Sequence, residues 1–241
     1  MSILGKASIV RLTVKWLLRL FFVIATPVFL LVSSSLVLVN ATPLYKLEFK
    51  RHHVDTTTHF SEEQLREIAK QVRHYFHNSE KYLQINVTDE QGLVFDLFDD
   101  EEQTHMADVK ALVRTAYVTA IILGAVLACL IALGFVRYLE VDIWLKWGGI
   151  ATVIGVSACA VLAATNFDSM FTSFHSLFFG SGTWIFDQPG QYLVMLFPQA
   201  FWTEMAFLMS TLAITGGIIM FLIGFRHSRT SRVICNEKNS V

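Results

Sequence analysis

Long uninterrupted apolar stretches dominate the hydrophobic pattern of this chain. Four of them, at about residues 20–39, 116–136, 147–165 and 205–225, are nearly free of charged side chains. A transmembrane helix needs about 20 largely apolar residues, because a rise of about 1.5 Å per residue must cross a hydrocarbon core about 30 Å thick. The pattern therefore predicts four transmembrane helices, with Pro27 bending the first.

The composition agrees with a membrane protein. Of the 241 residues, 54% are hydrophobic and 16% are charged, and the mean hydropathy is +0.50. These values lie outside the usual range of soluble domains. The net charge of −1 gives no support for a nucleic-acid partner.

The distribution of lysine and arginine predicts the orientation. Basic residues precede the first span, lie between the second and third, and follow the fourth, whereas residues 166–204 contain none. Because cytoplasmic loops carry the excess of positive charge, both termini are expected in the cytoplasm. A cleavable signal peptide is the alternative for the N-terminus, but the first apolar run is longer than the usual signal core of about 7–15 residues. The predicted organisation is a cytoplasmic N-terminus (1–19), a span (20–39), an extracytoplasmic domain (40–113), a span (114–137), a cytoplasmic loop (138–146), a span (147–165), an extracytoplasmic or interfacial loop (166–204), a span (205–225) and a cytoplasmic tail (226–241).

The first outward segment carries local signals of helix and strand. Ser61 and Gln64 form a predicted capping box, followed by apolar residues at helical spacing through about Tyr82. The stretches "LQINV" and "LVFDLF" are typical of short strands around a turn. Farther on, Thr104 is a candidate N-cap for a helix that continues into the second span and places His105 and Asp108 on one face near the outer surface.

The second outward segment contains "FTSFHSLFFGSGTWIFD", in which aromatic rings surround His175. The segment is longer than a turn between adjacent spans requires, and its aromatic content favours the membrane interface. His175 is then an interfacial anchor or a functional group, since ionisable side chains at membrane depth are costly and tend to be functional.

A pair of histidines supports two kinds of chemistry. With a carboxylate such as Asp108 or Asp187, His105 and His175 can ligate zinc and leave one position for water. Without metal, a neutral imidazole is a general base near pH 7.

The other histidines and the cysteines favour plainer interpretations. His74 and His77 share a helical face without further ligands, and His52, His53 and His59 lie in a polar region, so solvent-facing roles are favoured for all five. Two cysteines lie in predicted spans and one in the tail, which argues against disulfides and cysteine-based metal sites.

Several motifs together resemble the lipoprotein intramolecular transacylase family of bacterial membrane proteins. They are, in order, "FSEEQLREIAKQV", "THMADVKALV", "FHSLFFGSGTWIFD" and "LFPQAFW", within a likeness that covers about residues 15–225. The resemblance implies transfer of the sn-2 acyl chain of a diacylglyceryl lipoprotein to the α-amino group of its N-terminal cysteine. It implies a location in the bacterial cytoplasmic membrane, with lipoprotein and membrane lipid as partners and no metal or other cofactor.

The family motifs place the two catalytic histidines at His105 and His175. His175 is the expected base and His105 the oxyanion partner or proton relay, although the roles can be reversed. The supporting or substrate-binding candidates, chosen by position, are Asp108, Lys110, Arg114, Phe178, Phe179, Trp184 and Asp187.

The predicted fold is an all-α membrane bundle of four transmembrane helices, with a small extracytoplasmic α+β domain and an interfacial aromatic loop. Three functions stay open: a metal-independent O-to-N acyltransferase, which the resemblance implies and which is favoured, a metal-dependent membrane hydrolase, which the two histidines with a nearby aspartate allow, and a non-catalytic scaffold.

Overall fold

The protein is predominantly helical. The computed structural model describes residues 3–89, 91–137, 139–180, 182–186 and 190–238, with side chains described from Leu12 to Ser228 within those ranges. The elements in chain order are α1 (Ile3–Asn40), α2 (Thr42–Arg51), α3 (Val54–Thr58), α4 (Glu62–Tyr75), β1 (Asn86–Thr88), β2 (Val94–Asp96), α5 (Asp100–Val136), α6 (Val141–Thr165), α7 (Phe167–Phe178), α8 (Tyr192–Leu196) and α9 (Gln199–Lys238). The strands pair antiparallel, with Val87 opposite Phe95.

Four of the helices, α1, α5, α6 and α9, are long and apolar enough to cross a membrane by length and composition. Each contains one of the four apolar stretches, so the prediction of four spanning helices is confirmed at this level. Many of their large apolar side chains are exposed, among them Ile121, Val136 and Ile154. Such side chains are costly in water but suit lipid, which is as apolar as they are.

The chain divides into two compact units. The first comprises Met1–Ser34, Thr119–Ala160 and Met209–Val241, and the second comprises Ser35–Val118 and Val161–Leu208. In the first unit, Phe22 and Trp144 lie at the centre of an apolar cluster, with ring centroids 5.9 Å apart.

Glycines bring α6 and α9 close together within the first unit. A side chain at Gly149 would clash with the carbonyl oxygen of Gly217, and its Cβ would lie 2.8 Å from the backbone nitrogen of Phe221. Close approach of backbones through small residues is how membrane helices gain packing energy, because lipid gives little hydrophobic drive for their association.

The second unit is organised around α4. The predicted capping box is present: the Ser61 hydroxyl accepts from the Gln64 amide at 3.3 Å, and the Gln64 side chain accepts from the Ser61 amide at 2.9 Å. One face of α4 is buried. The helix ends at Tyr75, however, seven residues before the predicted end at about Tyr82. Tyr75 donates a hydrogen bond to the carbonyl of Lys81 at 2.7 Å, holding the irregular chain that follows the helix.

The predicted N-cap of the helix carrying His105 is wrong. The helix α5 begins at Asp100, and Thr104 lies inside it, donating its hydroxyl to the Asp100 carbonyl at 2.7 Å. The cap is Asp99, whose carboxylate accepts from the Glu102 amide at 2.8 Å, while Glu102 accepts from the Asp99 amide at 2.9 Å. An acidic residue followed three positions later by glutamate is a capping-box variant that the threonine obscured.

Helices α2, α3, α7 and α8 occupy stretches of the outward segments for which no regular structure was predicted. Their sequences are short or aromatic, and the helical period is difficult to recognise over five to twelve residues. Such short helices are marginal when isolated, and buried side chains such as Phe49, Val54 and Leu196 stabilise α2, α3 and α8 within the second unit.

Candidate active site

His105 occupies the second turn of α5 and is buried, with 6% of its surface exposed. The rings of Phe179 and Phe186 meet its imidazole edge-on, with centroids at 5.0 and 5.4 Å. Its Nδ1 is buried and has no hydrogen-bond partner among the described residues. Buried polar atoms are nearly always paired, so an unpaired imidazole nitrogen marks a group that is available to a ligand.

His175 is positioned by the last turn of α7. The N-cap of that helix is Asn166, whose side chain accepts a hydrogen bond from the Ser169 amide at 3.4 Å. The Nδ1 of His175 lies 2.8 Å from the Phe171 carbonyl oxygen. A carbonyl oxygen only accepts, so Nδ1 is the protonated nitrogen and Nε2 carries the lone pair of the neutral ring.

The two imidazoles lie face to face within the second unit. Their ring centroids are 6.0 Å apart, and the planes differ by 23°. Around them lies an aromatic cluster, defined as Phe171, Phe174, Phe179, Trp184 and Phe186. The fold thus brings together two histidines that are 70 residues apart in sequence, one buried and one partly buried, in aromatic surroundings.

Burial lowers the pKa of the His175 imidazole below its ordinary value of about 6.5, and the hydrogen bond to the Phe171 carbonyl acts in the opposite direction. The neutral ring is therefore the dominant form at pH 7. A neutral imidazole with an unprotonated Nε2 is chemically able to accept a proton from a bound substrate.

This pKa shift makes stability depend on pH. The folded-state pKa of His175 lies below the unfolded value of about 6.5. The stabilisation that the neutral ring contributes to the folded state is therefore complete above about pH 6.5 and is lost as the pH falls through the folded-state pKa. Between pH 7 and pH 5, the thermal unfolding midpoint of the wild type should fall more than that of a His175→Gln variant. Circular dichroism melts in detergent measure the difference, and equal slopes for the two proteins would contradict it.

Of the three aromatic residues predicted for the site, two contact the histidines and the third does not. Phe179 contacts both imidazoles, with its centroid 5.3 Å from that of His175, and Trp184 lies 4.9 Å from His175. Phe178 is exposed and packs on Phe174 at 4.9 Å instead. Asp187 lies outside the described residues.

Asp108 has no hydrogen bond to His105 among the described residues, although the two share a helical face. The role expected for Asp108 in orienting His105 is therefore not seen in this geometry.

Lys110 and Arg114 both bind the chain that follows α4. The Lys110 ammonium donates to the Asn78 side chain at 2.6 Å and to the Glu80 carbonyl at 2.7 Å, and it lies 3.9 Å from the centroid of the Tyr75 ring. Arg114 donates to the Asn78 carbonyl at 2.8 Å. With 3% of its surface exposed, Lys110 is fully occupied in holding this chain on α5.

Lys110→Met should lower the free energy of unfolding by about 2 kcal/mol, because it removes two charge-assisted hydrogen bonds, to the Asn78 side chain and the Glu80 carbonyl, made by a buried ammonium. Lys70→Met is the matched control. Lys70 is exposed and pairs with Glu67 at 3.1 Å, so its loss should change stability by less than about 0.5 kcal/mol. Thermal melts of the two variants test this, and similar midpoints would show that Lys110 has no such structural role.

Sequence reasoning did not identify two partners of the histidines. The Phe171 carbonyl fixes the His175 tautomer through an i, i−4 relation that appears only once the segment is known to be helical. Phe186 fits the general aromatic belt in sequence but contacts His105 in the fold. Glu102 is a third residue that was missed: it is buried and accepts a hydrogen bond from the Leu193 amide at 2.6 Å, which ties α8 to the start of α5.

Comparisons with known proteins agree with this architecture. A profile of the family described as lipoprotein intramolecular transacylase Lit matches residues 20–202. An uncharacterized protein of Aquifex aeolicus (strain VF5) is 26% identical over 127 residues, or 53% of this chain, and the match spans only 56% of that curated relative.

Among solved structures, the chain is similar to the membrane-integral lipoprotein intramolecular transacylase Lit from Bacillus cereus. The TM-score is 0.80 at 16% identity, over 92% of this chain and 99% of that chain. A variant of the Bacillus cereus protein with one histidine replaced by arginine gives a TM-score of 0.79 at 16% identity, over 95% and 99% of the two chains. At this identity the likeness establishes a shared fold.

Proposed function

Because the chain belongs to the lipoprotein intramolecular transacylase Lit family, we propose that it moves the sn-2 acyl chain of a diacylglyceryl lipoprotein to the α-amino group of the N-terminal cysteine. The observation that carries the proposal is the face-to-face arrangement of His105 and His175 inside the aromatic cluster. The product is a lyso-form lipoprotein. Membrane lipid is the surrounding partner.

His175 is the proposed general base. The substrate amine is largely protonated at neutral pH, with an ordinary pKa of about 7.7–8.0, and must lose that proton to solvent before it attacks. The amine nitrogen then bonds to the ester carbonyl carbon, and Nε2 of His175 takes the second proton. The hydrogen bond from Nδ1 to the Phe171 carbonyl keeps this nitrogen available throughout.

His105 is the proposed oxyanion partner or proton relay. When its ring carries a proton toward the substrate, it can stabilise the negative charge that develops on the carbonyl oxygen. Collapse of the tetrahedral intermediate breaks the bond to the sn-2 oxygen, which takes the proton held by His175. An amide forms, an ester is lost, and the histidines return to their starting state.

Two features make transfer faster than hydrolysis in this scheme. The amine and the ester belong to one molecule, so binding them in a near-attack geometry removes much of the entropic barrier. The aromatic cluster excludes the water that would compete for the ester. Exposed apolar side chains on α7, among them Phe174, Leu177 and Phe178, give a surface suited to the acyl chains or to lipid.

We place the protein in the bacterial cytoplasmic membrane, with both termini in the cytoplasm and the histidines on the extracytoplasmic side. The support is the absence of lysine and arginine from residues 166–204, which contain α7 and His175.

A crossover experiment tests the proposed reaction. Two diacylglyceryl lipopeptides of different peptide sequence are mixed, one of them carrying a deuterated sn-2 chain, and are incubated with the purified protein. Transfer yields an isomer of the substrate, so tandem mass spectrometry must locate the acyl chain on the N-terminal nitrogen. Intramolecular transfer predicts that the label stays with its own peptide.

The other outcomes separate the competing functions. Free fatty acid without N-acylated peptide, abolished by a chelator, would indicate a metal-dependent hydrolase. Scrambled label would indicate intermolecular transfer. If the protein is folded and the substrate is unchanged, the result would favour the non-catalytic scaffold function over both enzymes.

A further inference from the structure

A second group of titratable side chains lies away from the catalytic pair, within the second unit. Glu48 occupies the C-terminal turn of α2, His52 follows the end of that helix, and Glu204 lies in the second turn of α9. The spacing of four residues places Glu48 and His52 on the same face of α2.

One atom from each residue converges on a common point. The Nε2 of His52 lies 3.3 Å from Oε2 of Glu48 and 3.4 Å from Oε1 of Glu204, and all three atoms lie within 4.8 Å of one another. Two ligands bound to a tetrahedral zinc ion at about 2.0–2.1 Å lie about 3.3–3.4 Å apart. The separations of His52 Nε2 from the two carboxylate oxygens therefore match the edges of a zinc coordination tetrahedron.

The same atoms lack hydrogen bonds. Oε2 of Glu48 and Nε2 of His52 are buried without a hydrogen-bond partner among the described residues, although they face each other. The Glu48 side chain is 1% exposed. A carboxylate oxygen at such a depth is costly without a partner, so Glu48 needs a cation beside it, either a protonated His52 at ion-pair distance or a bound metal ion.

Arg51 binds the outer oxygens of the two carboxylates. Its guanidinium lies 3.5 Å from Oε1 of Glu48 and forms an ion pair with Oε2 of Glu204. It therefore orients both carboxylates and leaves Oε2 of Glu48 and Oε1 of Glu204 turned toward His52. Fixing of ligands by outer hydrogen bonds is typical of metal sites.

We propose that Glu48, His52 and Glu204 bind a divalent zinc ion. One imidazole and two carboxylates form a nitrogen–oxygen ligand set of the kind that zinc accepts, and three protein ligands leave the fourth position for water. The site opens toward solvent on the side of Glu204, whose side chain is 31% exposed. The two negative charges of Glu48 and Glu204 also offset the positive charge of the zinc ion, which would otherwise be repelled by Arg51.

The ion fixes α2 to the start of α9. Beside the site, Phe49 of α2 packs on Phe197 and Tyr45 packs on Phe201, with ring centroids 5.7 and 6.1 Å apart. A metal link adds to this aromatic contact a restraint that depends on zinc. This role is structural and independent of the proposed acyl transfer.

Zinc titration of the tag-free protein in detergent, after treatment with a chelator, tests the proposal. Isothermal calorimetry should show about one zinc ion per chain for the wild type, with a Kd raised more than about 100-fold in His52→Gln and in Glu204→Gln. His74→Gln, which removes an exposed histidine of α4, is the matched control and should bind as the wild type does.

Thermal melts with and without zinc provide a second readout. Zinc should raise the unfolding midpoint of the wild type and of His74→Gln but not of the two ligand variants. If His52→Gln fails to fold, Glu204→Gln, at the more exposed position, carries the test. Equal zinc affinity in the wild type and the ligand variants would overturn the proposal, and so would a wild type that binds no stoichiometric zinc. Glu48, His52 and Glu204 would then form an ion-pair network with no metal.

Discussion

His175→Ala should lower the rate of acyl transfer by about 10²–10⁴-fold, the usual contribution of a positioned general base. The loss is expected because Nε2 of His175 is the proposed acceptor of the amine proton, and its tautomer is fixed by the Phe171 carbonyl. The rate of appearance of N-acylated lipopeptide, measured under single-turnover conditions, reports the effect.

The histidine of α4 supplies the control for this prediction. His74 is exposed, so His74→Ala should transfer acyl chains at the wild-type rate. Size-exclusion profiles and thermal melts establish that the His175→Ala protein is folded. A folded variant that retains more than about a tenth of the wild-type rate would exclude His175 as the base.

Gly149→Leu should prevent formation of a stable first unit, at a cost above about 3 kcal/mol. A side chain at this position meets the Gly217 carbonyl and the Phe221 amide, which are backbone groups of α9 and cannot rotate away. The yield of monodisperse protein from detergent extraction and its thermal midpoint measure the loss.

Gly155→Leu is the matched control on the same helix. A Cβ at Gly155 has no described heavy atom within 4 Å, so the substitution should leave yield and midpoint close to those of the wild type. Comparable behaviour of the two leucine variants would show that the α6–α9 approach does not need glycine.

The parts of the fold that the sequence predicts well are those with a strong local signal. Four apolar stretches give four long helices, and the serine and glutamine of one capping box give the start of α4. The predicted start of α5 is wrong because Thr104 and Asp99 are both acceptable caps; the capping box of Asp99 with Glu102 favours the earlier one, and the contact of Glu102 with α8 adds to it. Such tertiary contacts have no periodicity along the chain.

In the candidate site, too, local sequence signals predict which residues matter, but not the tertiary contacts that those residues make. Motif resemblance singled out His105 and His175, but no spacing rule predicts that residues on α5 and α7 stack at 6.0 Å. Position alone suggested that Lys110 meets lipid or substrate, whereas its bonds to Asn78 and Glu80 occupy it. His52 had a solvent-facing interpretation because its partner Glu204 is 152 residues away and became visible only in the folded chain.

The claim that the two histidines act as one catalytic unit is tested most directly by a double-mutant cycle. The transfer rate is measured for the wild type, His105→Ala, His175→Ala and the variant carrying both, with fragment ions locating the acyl chain on nitrogen. Residues that act as a unit are strongly non-additive, so the double variant should be no slower than the slower single variant. Losses that multiply, or a single variant with the wild-type rate, would contradict a shared site.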